Sequence, residues 1–177
     1  MFAKMLDQLK AQGYINETLP KVAHDKEARF GCKGGDKFWY GYKEHVCVDM
    51  QSGLINKIAI TPANVTDARG IKHVCPSQGA VYGDKGYCIK PARITMQRKG
   101  VHDATIKLNH MKVKDRDKDK WLTKIRAPYE RVFAQRPRRV RYTGVAKNQF
   151  AGFMRAIAFN MKRLLTLPPP KEAITLA

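Results

Sequence analysis

Apolar residues recur every three to four positions near both ends of the chain, a spacing typical of amphipathic helices. Near the beginning, one helical face carries Phe2, Met5, Leu6 and Leu9, and Gly13 suits the end of that helix. Near the other end, a longer stripe with the same spacing consists of Phe150, Phe153, Met154, Ile157, Met161, Leu164 and Leu165. We expect this longer stripe to pack in the hydrophobic core.

The middle of the chain has the composition of β-strands. Residues 38–50 (FWYGYKEHVCVDM) and 53–64 (GLINKIAITPAN) are rich in aromatic and β-branched residues. The short turn MQSG joins them, which predicts an antiparallel hairpin. Two shorter runs, GAVYGD (79–84) and ATIKL (104–108), predict further strands, whereas residues 15–36 are polar and show no strong strand signal.

Helical segments alternate with these strands. Asp67 can cap a short helix in DARGIKHV, and KPARITMQRKG predicts a second helix. A third helix follows in WLTKIRAPYERVFAQ, where Pro128 suits a first turn. The charged run HMKVKDRDKDKW, residues 110–121, is typical of a solvated loop. This order of elements predicts an α/β or α+β domain with a mixed sheet.

The charge balance indicates a polyanionic partner. The chain has 34 Lys and Arg against 15 Asp and Glu, a net charge of +19. Nucleic acid is the expected partner, because neutralised phosphates release counterions. A basic RNA-binding or ribosome-associated protein is an alternative. A membrane-surface protein is disfavoured, since no basic amphipathic helix with a bulky apolar face dominates the sequence.

Four cysteines, at positions 32, 47, 75 and 88, show no CxxC spacing and are predicted to be free thiols. A zinc site built from His73, Cys75 and Cys88 would lack the usual ligand spacing. The chain has no run of about 18 apolar residues and no signal-peptide pattern. We therefore expect a soluble cytoplasmic protein.

Two acidic residues suggest chemistry on phosphate. Asp84 lies between two glycines at the end of the apolar run in VYGDKGYC, where open α/β sheets bind ligands, although it could also simply cap a turn. Glu130 lies in IRAPYERVF and could instead form a surface ion pair with Arg126 or Arg131. Taken together, two carboxylates can hold divalent metal for phosphodiester chemistry, with Arg126 on the same helical face as Glu130.

Four blocks carry a resemblance to a known family. In order, spanning residues 25–165, they read DKEARFGCKGGDKFWYGYKEHVCVDMQSGLINKIAITPANVTDA, YGDKGY, DKDKWLTKIRAPYERVF and RRVRYTGVAKNQFAGFMRAIAFNMKRLL. They resemble the DDE transposases of bacterial insertion sequences, in the insertion-sequence-five group, with an RNase H-like catalytic fold. The resemblance implies an Asp-Asp-Glu triad that binds two Mg²⁺ (or Mn²⁺) ions for DNA end cleavage and strand transfer. Asp84 matches the second acid, Glu130 the third, and Arg126 the arginine four positions before the glutamate.

The chain departs from the family pattern at the first acid. The family's first aspartate ends an apolar strand ahead of the DKEARFG block, where this chain has GYINETLPKVAH, with no apolar strand and no aspartate. Neither Asp7 nor Asp25 matches it. The tyrosine and lysine of the family motif are replaced by Thr123 and Pro137. The resemblance therefore implies a truncated, internally deleted and catalytically impaired copy.

These observations predict three regions: an N-terminal helix and connector (1–24), a partial RNase H-like catalytic domain (25–166) and a disordered tail (167–177). The expected partners are insertion-sequence ends and target DNA, at the nucleoid, with a homo-oligomer or a mixed oligomer with full-length transposase also possible. The alternative function is an inactive DNA-binding remnant or an inhibitor of the full-length enzyme. The residues expected to contact nucleic acid are Arg126, Arg131, Arg136, Arg138, Arg139, Arg141 and Lys147.

Overall fold

A computed structural model describes residues 23–33, 37–112, 114–134 and 139–168 of the chain. The predicted helix at residues 2–13 lies outside this part, as does nearly all of the predicted tail. The strands are β1 (Arg29–Lys33), β2 (Lys37–Val48), β3 (Ile55–Pro62), β4 (Ala80–Val81) and β5 (His102–Asp103). The helices are α1 (Asp67–Val74), α2 (Lys90–Arg98), α3 (Arg116–Arg126), α4 (Arg131–Ala134) and α5 (Val145–Leu164), with 3₁₀ helices at Lys85–Tyr87 and Ala127–Glu130. The arrangement is mixed α/β, as predicted, and no helix among the described residues is long and apolar enough to span a membrane.

The larger sheet is antiparallel, in the order β1-β2-β3. The predicted hairpin is confirmed as β2 and β3, which pair from Tyr42↔Pro62 to Val48↔Ile55. Its turn is held by Asp49, whose carboxylate accepts hydrogen bonds from the amide and hydroxyl of Ser52, and these bonds lower the pKa of Asp49. The whole turn thus follows from local sequence.

Strand β1 corrects the prediction that residues 15–36 hold no strand. It pairs with the first part of β2, and Phe30 lies opposite Tyr40 with ring centroids 5.1 Å apart. An edge-to-face aromatic pair of this kind stabilises neighbouring strands. The strand therefore depends on its partner rather than on an apolar pattern of its own.

The smaller sheet is parallel and consists of β4 and β5. The predicted strand at 104–108 is displaced, because the regular strand ends at Asp103, whose Oδ1 accepts hydrogen bonds from both the amide and the hydroxyl of Thr105. The backbone contact continues beyond it, since the amides of Ala104 and Ile106 donate to the carbonyls of residues 81 and 83. The predicted stretch is therefore extended and adjacent to β4 without forming regular strand.

The charged run at 110–121 is only partly the predicted loop, because α3 begins within it. Asp115 caps the helix by accepting hydrogen bonds from the amides of Asp117 and Lys118, each at 3.0 Å. Leu122, almost fully buried, packs against Ala104 and Ile106 and anchors α3 beneath the smaller sheet.

Helix α1 is confirmed, with Thr66 rather than Asp67 at the N-cap position. It packs closely on β2, because Gly70 lies directly against the buried imidazole of His45. Beyond it, α2 contributes Ala92 and Met96 to a cluster with Ile71 of α1. This cluster joins the helices between the two sheets.

Helix α5 is confirmed, but its predicted core face is wrong. The face that meets β3 is built from small and amide residues: Gly152 and Ala156 allow close approach, and Gln149 and Asn160 bond to the strand. The Gln149 side chain accepts a hydrogen bond from the Ile60 amide at 2.7 Å and donates one to the Ile58 carbonyl at 3.1 Å. The Asn160 side chain accepts a hydrogen bond from the amide of Ile55 and donates one to the carbonyl of the same residue. The predicted core stripe faces outward, and its members are all exposed.

Asp25 and Glu27 connect the start of the described chain to the start of α5. Asp25 accepts hydrogen bonds from the Tyr42 hydroxyl and from the Gly144 amide, and Glu27 accepts one from the Val145 amide. Burial opposes ionisation of Asp25, but these hydrogen bonds outweigh it and lower its pKa. Both carboxylates are thus engaged in structural contacts at a helix N-terminus, where negative charge is favourable.

Candidate active site

Asp84 lies three residues beyond the end of β4, at the predicted strand-to-loop corner. It caps the 3₁₀ helix Lys85–Tyr87, with Oδ1 accepting the Gly86 amide at 2.9 Å. The capping role that the sequence allowed is therefore present. Its second oxygen, Oδ2, has no hydrogen-bond partner within the described part of the chain, and the side chain is exposed. One carboxylate oxygen thus remains able to bind a ligand.

Glu130 ends the 3₁₀ helix that follows α3. Its Oε1 lies 3.7 Å from Nη2 of Arg126. This is the surface ion pair that the sequence analysis gave as the alternative to a metal-binding role for Glu130. Since 65% of the Glu130 side chain is exposed, such a pair contributes at most about 1 kcal/mol. The neighbouring Tyr129 hydroxyl donates to the carbonyl of Met50 at 2.5 Å and so ties this segment to the β2–β3 turn.

A cavity of about 260 Å³ brings the two acids to one place. Its walls come from β2, α1, β4 and the segment at 126–133, so it lies between the two sheets. Asp84, Arg126 and Glu130 all line it, although they come from separate parts of the sequence. Of the described residues around it, these two acids are the only carboxylates. The cavity is otherwise largely apolar, with Val46, Val48, Ile71, Val74, Tyr82 and Tyr87 in its walls.

Residues 12–161 match the family profile of the transposase DDE domain. The chain belongs to the transposase DDE domain family. No curated protein and no solved structure gives a significant match.

Of the described basic side chains predicted to contact nucleic acid, Arg126 lines the cavity of this transposase domain, and Arg139, Arg141 and Lys147 do not. Arg139, Arg141 and Lys147 are exposed on the segment that leads into α5 and on its first turn. The backbone of Arg131 begins α4, and its side chain lies outside what the structure describes. Positions 136 and 138 also lie outside the described residues.

The transposase domain brings together two of the three expected metal ligands. Mg²⁺ binds oxygen ligands and is commonly held by one or two carboxylates with water and phosphate completing its shell. Asp84 and Glu130 place two carboxylates on the wall of this cavity. Among the described residues no group of three Asp, Glu, His or Cys side chains is placed to hold a metal, and this includes His73, Cys75 and Cys88. Cys47, Cys75 and Cys88 are free thiols, as predicted.

Two tyrosines of the site were not identified as functional from the sequence. Tyr129 precedes Glu130 and anchors it, whereas Tyr87, three residues after Asp84, lines the cavity. Burial, together with the nearby carboxylates of Asp67 and Asp84, raises the pKa of Tyr87, so its hydroxyl stays protonated. The available signal was the tyrosine close to each acid in YGDKGY and APYER.

Proposed function

We propose that this transposase domain, of RNase H-like fold and of the insertion-sequence-five group, binds DNA and lacks a complete catalytic site. The observation that carries the proposal is the cavity between the sheets, where Asp84 and Glu130 face the same space and no third described carboxylate joins them. A triad of acids is what the family resemblance requires for a two-metal reaction. Two acids can support the binding of a metal ion, but they do not form the complete Asp-Asp-Glu triad.

The two acids would hold one divalent cation. Such an ion, when bound, would polarise a phosphate oxygen of DNA. Asp84 contributes its unengaged oxygen, and Glu130 contributes a carboxylate that its distant ion pair with Arg126 leaves largely available. Arg126 is only about one-fifth exposed and lies beside the cavity, where a guanidinium can contact a phosphate.

The position of the cavity supports the idea that a strand is missing. β2 pairs with β3 on one side and, through residues 37–41 alone, with β1 on the other, and across the cavity from its residues 46–48 lie residues 80–82. No described strand lies between them. The first acid of the family ends an apolar strand, so loss of that strand and loss of that acid are the same event. We infer an internal deletion ahead of residue 25.

Isothermal titration calorimetry, with Mn²⁺ titrated into the whole chain, tests the metal site. Saturable weak binding is expected, and both Asp84→Asn and Glu130→Gln are expected to abolish it. Asp117→Asn is the matched control, because the Asp117 side chain is 94% exposed and does not line the cavity. Binding that survives both substitutions, or is lost in the control, contradicts the proposed ligands.

Nicking of supercoiled plasmid in Mg²⁺ tests the impairment. We expect no cleavage above background. Cleavage that depends on Asp84 would mean that another acid completes the site and that the chain is an active transposase.

Duplex binding at several salt concentrations tests the DNA partner. The logarithm of affinity should fall linearly with the logarithm of salt concentration, since each phosphate contact releases counterions. A preference for structured RNA over duplex DNA would instead favour the alternative of an RNA-binding basic protein. Inhibition of a full-length transposase in a mixed reaction would support the role of an inhibitor.

A further inference from the structure

The two acids of the candidate site are held by different parts of the molecule. Asp84 directly follows Gly83, whose carbonyl accepts a hydrogen bond from the Ile106 amide at 3.0 Å, so this acid belongs to the smaller sheet. The Glu130 side chain is 65% exposed, and its ion pair with Arg126 at 3.7 Å is too long and too exposed to fix a carboxylate in place. The position of Glu130 relative to Asp84 therefore depends on how the backbone around Glu130 is held.

That backbone is held against the larger sheet on both sides of Glu130. On one side, the Tyr129 hydroxyl donates a hydrogen bond to the carbonyl of Met50, and both residues line the cavity. On the other side, Val132 is buried against β3 and α5. An apolar contact is non-directional and allows small sliding movements, whereas a hydrogen bond fixes a distance and an angle. Tyr129 therefore sets how far Glu130 lies from the larger sheet.

The acceptor of this hydrogen bond lies on a rigid turn. The amide of Asp49 donates to the carbonyl of Leu54, and the carbonyl of Asp49 accepts from the amide of Gly53, each at 2.8 Å. The Asp49 carboxylate closes the same turn through the amide and hydroxyl of Ser52. With backbone and side-chain bonds across it, the turn moves as one body. The Met50 carbonyl is thus a fixed point if the turn itself is fixed.

Arg163, near the C-terminal end of α5, fixes this turn. Its Nε donates a hydrogen bond to the carbonyl of Ser52 at 2.9 Å. A Cβ built on Gly53 would lie 2.9 Å from the same nitrogen, so the guanidinium packs directly on the turn. The turn is therefore attached to α5 as well as to the two strands that it joins.

These contacts form a continuous series from α5 to the acid. We propose that Tyr129 and Arg163 are positioning residues of the metal site: Arg163 holds the β2–β3 turn, and Tyr129 transmits the position of that turn to Glu130. This inference rests on the proposed metal site, and neither residue touches the ion. A carboxylate that is already in place loses less conformational entropy when it binds the ion, so affinity depends on this support.

Electron paramagnetic resonance of Mn²⁺ titrated into the full chain tests the role of Tyr129, because it counts the free ion even when binding is weak. Tyr129→Phe removes the hydroxyl and keeps the ring, and should raise the dissociation constant between about threefold and tenfold. Tyr142→Phe is the matched control and should leave the constant unchanged. Tyr142 is exposed, does not line the cavity, and its hydroxyl makes no hydrogen bond within the described chain.

Water-proton relaxation separates positioning from a general loss of stability. In Tyr129→Phe the bound Mn²⁺ should carry about one additional water, since water fills the place that Glu130 leaves. A variant that is merely less stable has fewer folded molecules, but the ion in each of them keeps the same number of waters.

A double-mutant cycle tests whether the two residues act in series. Arg163→Ala alone should raise the dissociation constant about twofold to fivefold, and Lys162→Ala, at the exposed neighbouring position, should not change it. Added to Tyr129→Phe, Arg163→Ala should change the constant less than about twofold, because the link to Glu130 is already broken. Fully additive effects would refute the series.

Amide hydrogen exchange without metal keeps the test independent of the ion. Exchange in residues 127–134 should accelerate in Tyr129→Phe, whereas residues 80–83 of the smaller sheet should exchange as in wild type. Unchanged exchange in residues 127–134 overturns the proposal. So does a Tyr129→Phe chain that binds Mn²⁺ as wild type does while Asp84→Asn abolishes binding, an outcome that leaves the metal site standing. A wild-type chain that binds no Mn²⁺ refutes the metal site itself, and this role of Tyr129 with it.

Discussion

Replacement of Gly70 by alanine should destabilise the protein, although alanine favours helices. Gly70 lies within α1, and a Cβ built on it falls 2.1 Å from Cε1 of His45. Carbon atoms in contact are normally about 3.5–4.0 Å apart, so the ring or the helix must move by about 1.4 Å or more. His45 is 2% exposed and its Nε2 lies 2.9 Å from Oγ1 of Thr61, which leaves little room for that movement.

The magnitude follows from three opposing effects. Overpacking of a buried site costs roughly 1–3 kcal/mol, and a displaced imidazole also loses its hydrogen bond to Thr61, about 1 kcal/mol. The gain from replacing a helical glycine is at most about 1 kcal/mol. We therefore expect Gly70→Ala to lower the free energy of unfolding by about 2 kcal/mol. For a chain of this size that corresponds to about 4–8 °C in Tm.

Chemical denaturation of Gly70→Ala and of Gly152→Ala measures the effect against a matched control. Gly152 is also buried within a helix, but the closest atom to its added Cβ would be the terminal methyl of Ile58, at 3.3 Å, and two carbons of Ile60 would lie at 3.6 Å, an ordinary contact distance. That methyl can shift, so Gly152→Ala should change the free energy of unfolding by less than about 1 kcal/mol. A Gly70→Ala protein as stable as wild type would refute the packing argument between α1 and β2.

Three further predictions concern buried and basic groups. Burial lowers the pKa of His45, so in the unfolded chain this imidazole takes up a proton near its ordinary pKa of 6.5, whereas in the folded chain it stays neutral. The free energy of unfolding should therefore fall as pH decreases from about 7 to 5. His45→Gln should flatten that pH dependence in denaturant titrations. Asp25→Asn should lower the free energy of unfolding by about 1–3 kcal/mol, because the carboxylate accepts hydrogen bonds from the Tyr42 hydroxyl and from the Gly144 amide at the start of α5. An unchanged denaturation midpoint would argue against that network. Arg139→Ala combined with Arg141→Ala should weaken duplex binding at all sequences tested and reduce the salt slope by about two, whereas an unchanged slope would place the DNA elsewhere.

The two acids of the candidate site show how much of that site could be predicted from the sequence. The motifs predict Asp84 and Glu130 as metal ligands, which stays a prediction, and the structure places both of them on the wall of one cavity. Sequence also offered a capping turn for Asp84 and an ion pair for Glu130, and both contacts are present. A carboxylate has two oxygens, so a structural contact with one of them does not exclude metal binding by the other. Local pattern alone could not decide between roles that coexist.

Local sequence determined the elements whose stabilising contacts are themselves local. The β2–β3 hairpin follows from two apolar strands and the turn closed by Asp49, and α5 follows from helical periodicity. Periodicity gives the angle between apolar and polar faces of a helix, but not which face meets the rest of the molecule. Only the tertiary structure decided that α5 meets β3 through Gln149, Gly152 and Asn160, because hydrogen bonds to a strand edge and close backbone approach outweigh burial of the larger side chains there. The same reason explains β1, which exists through its pairing with β2 and has no pattern of its own.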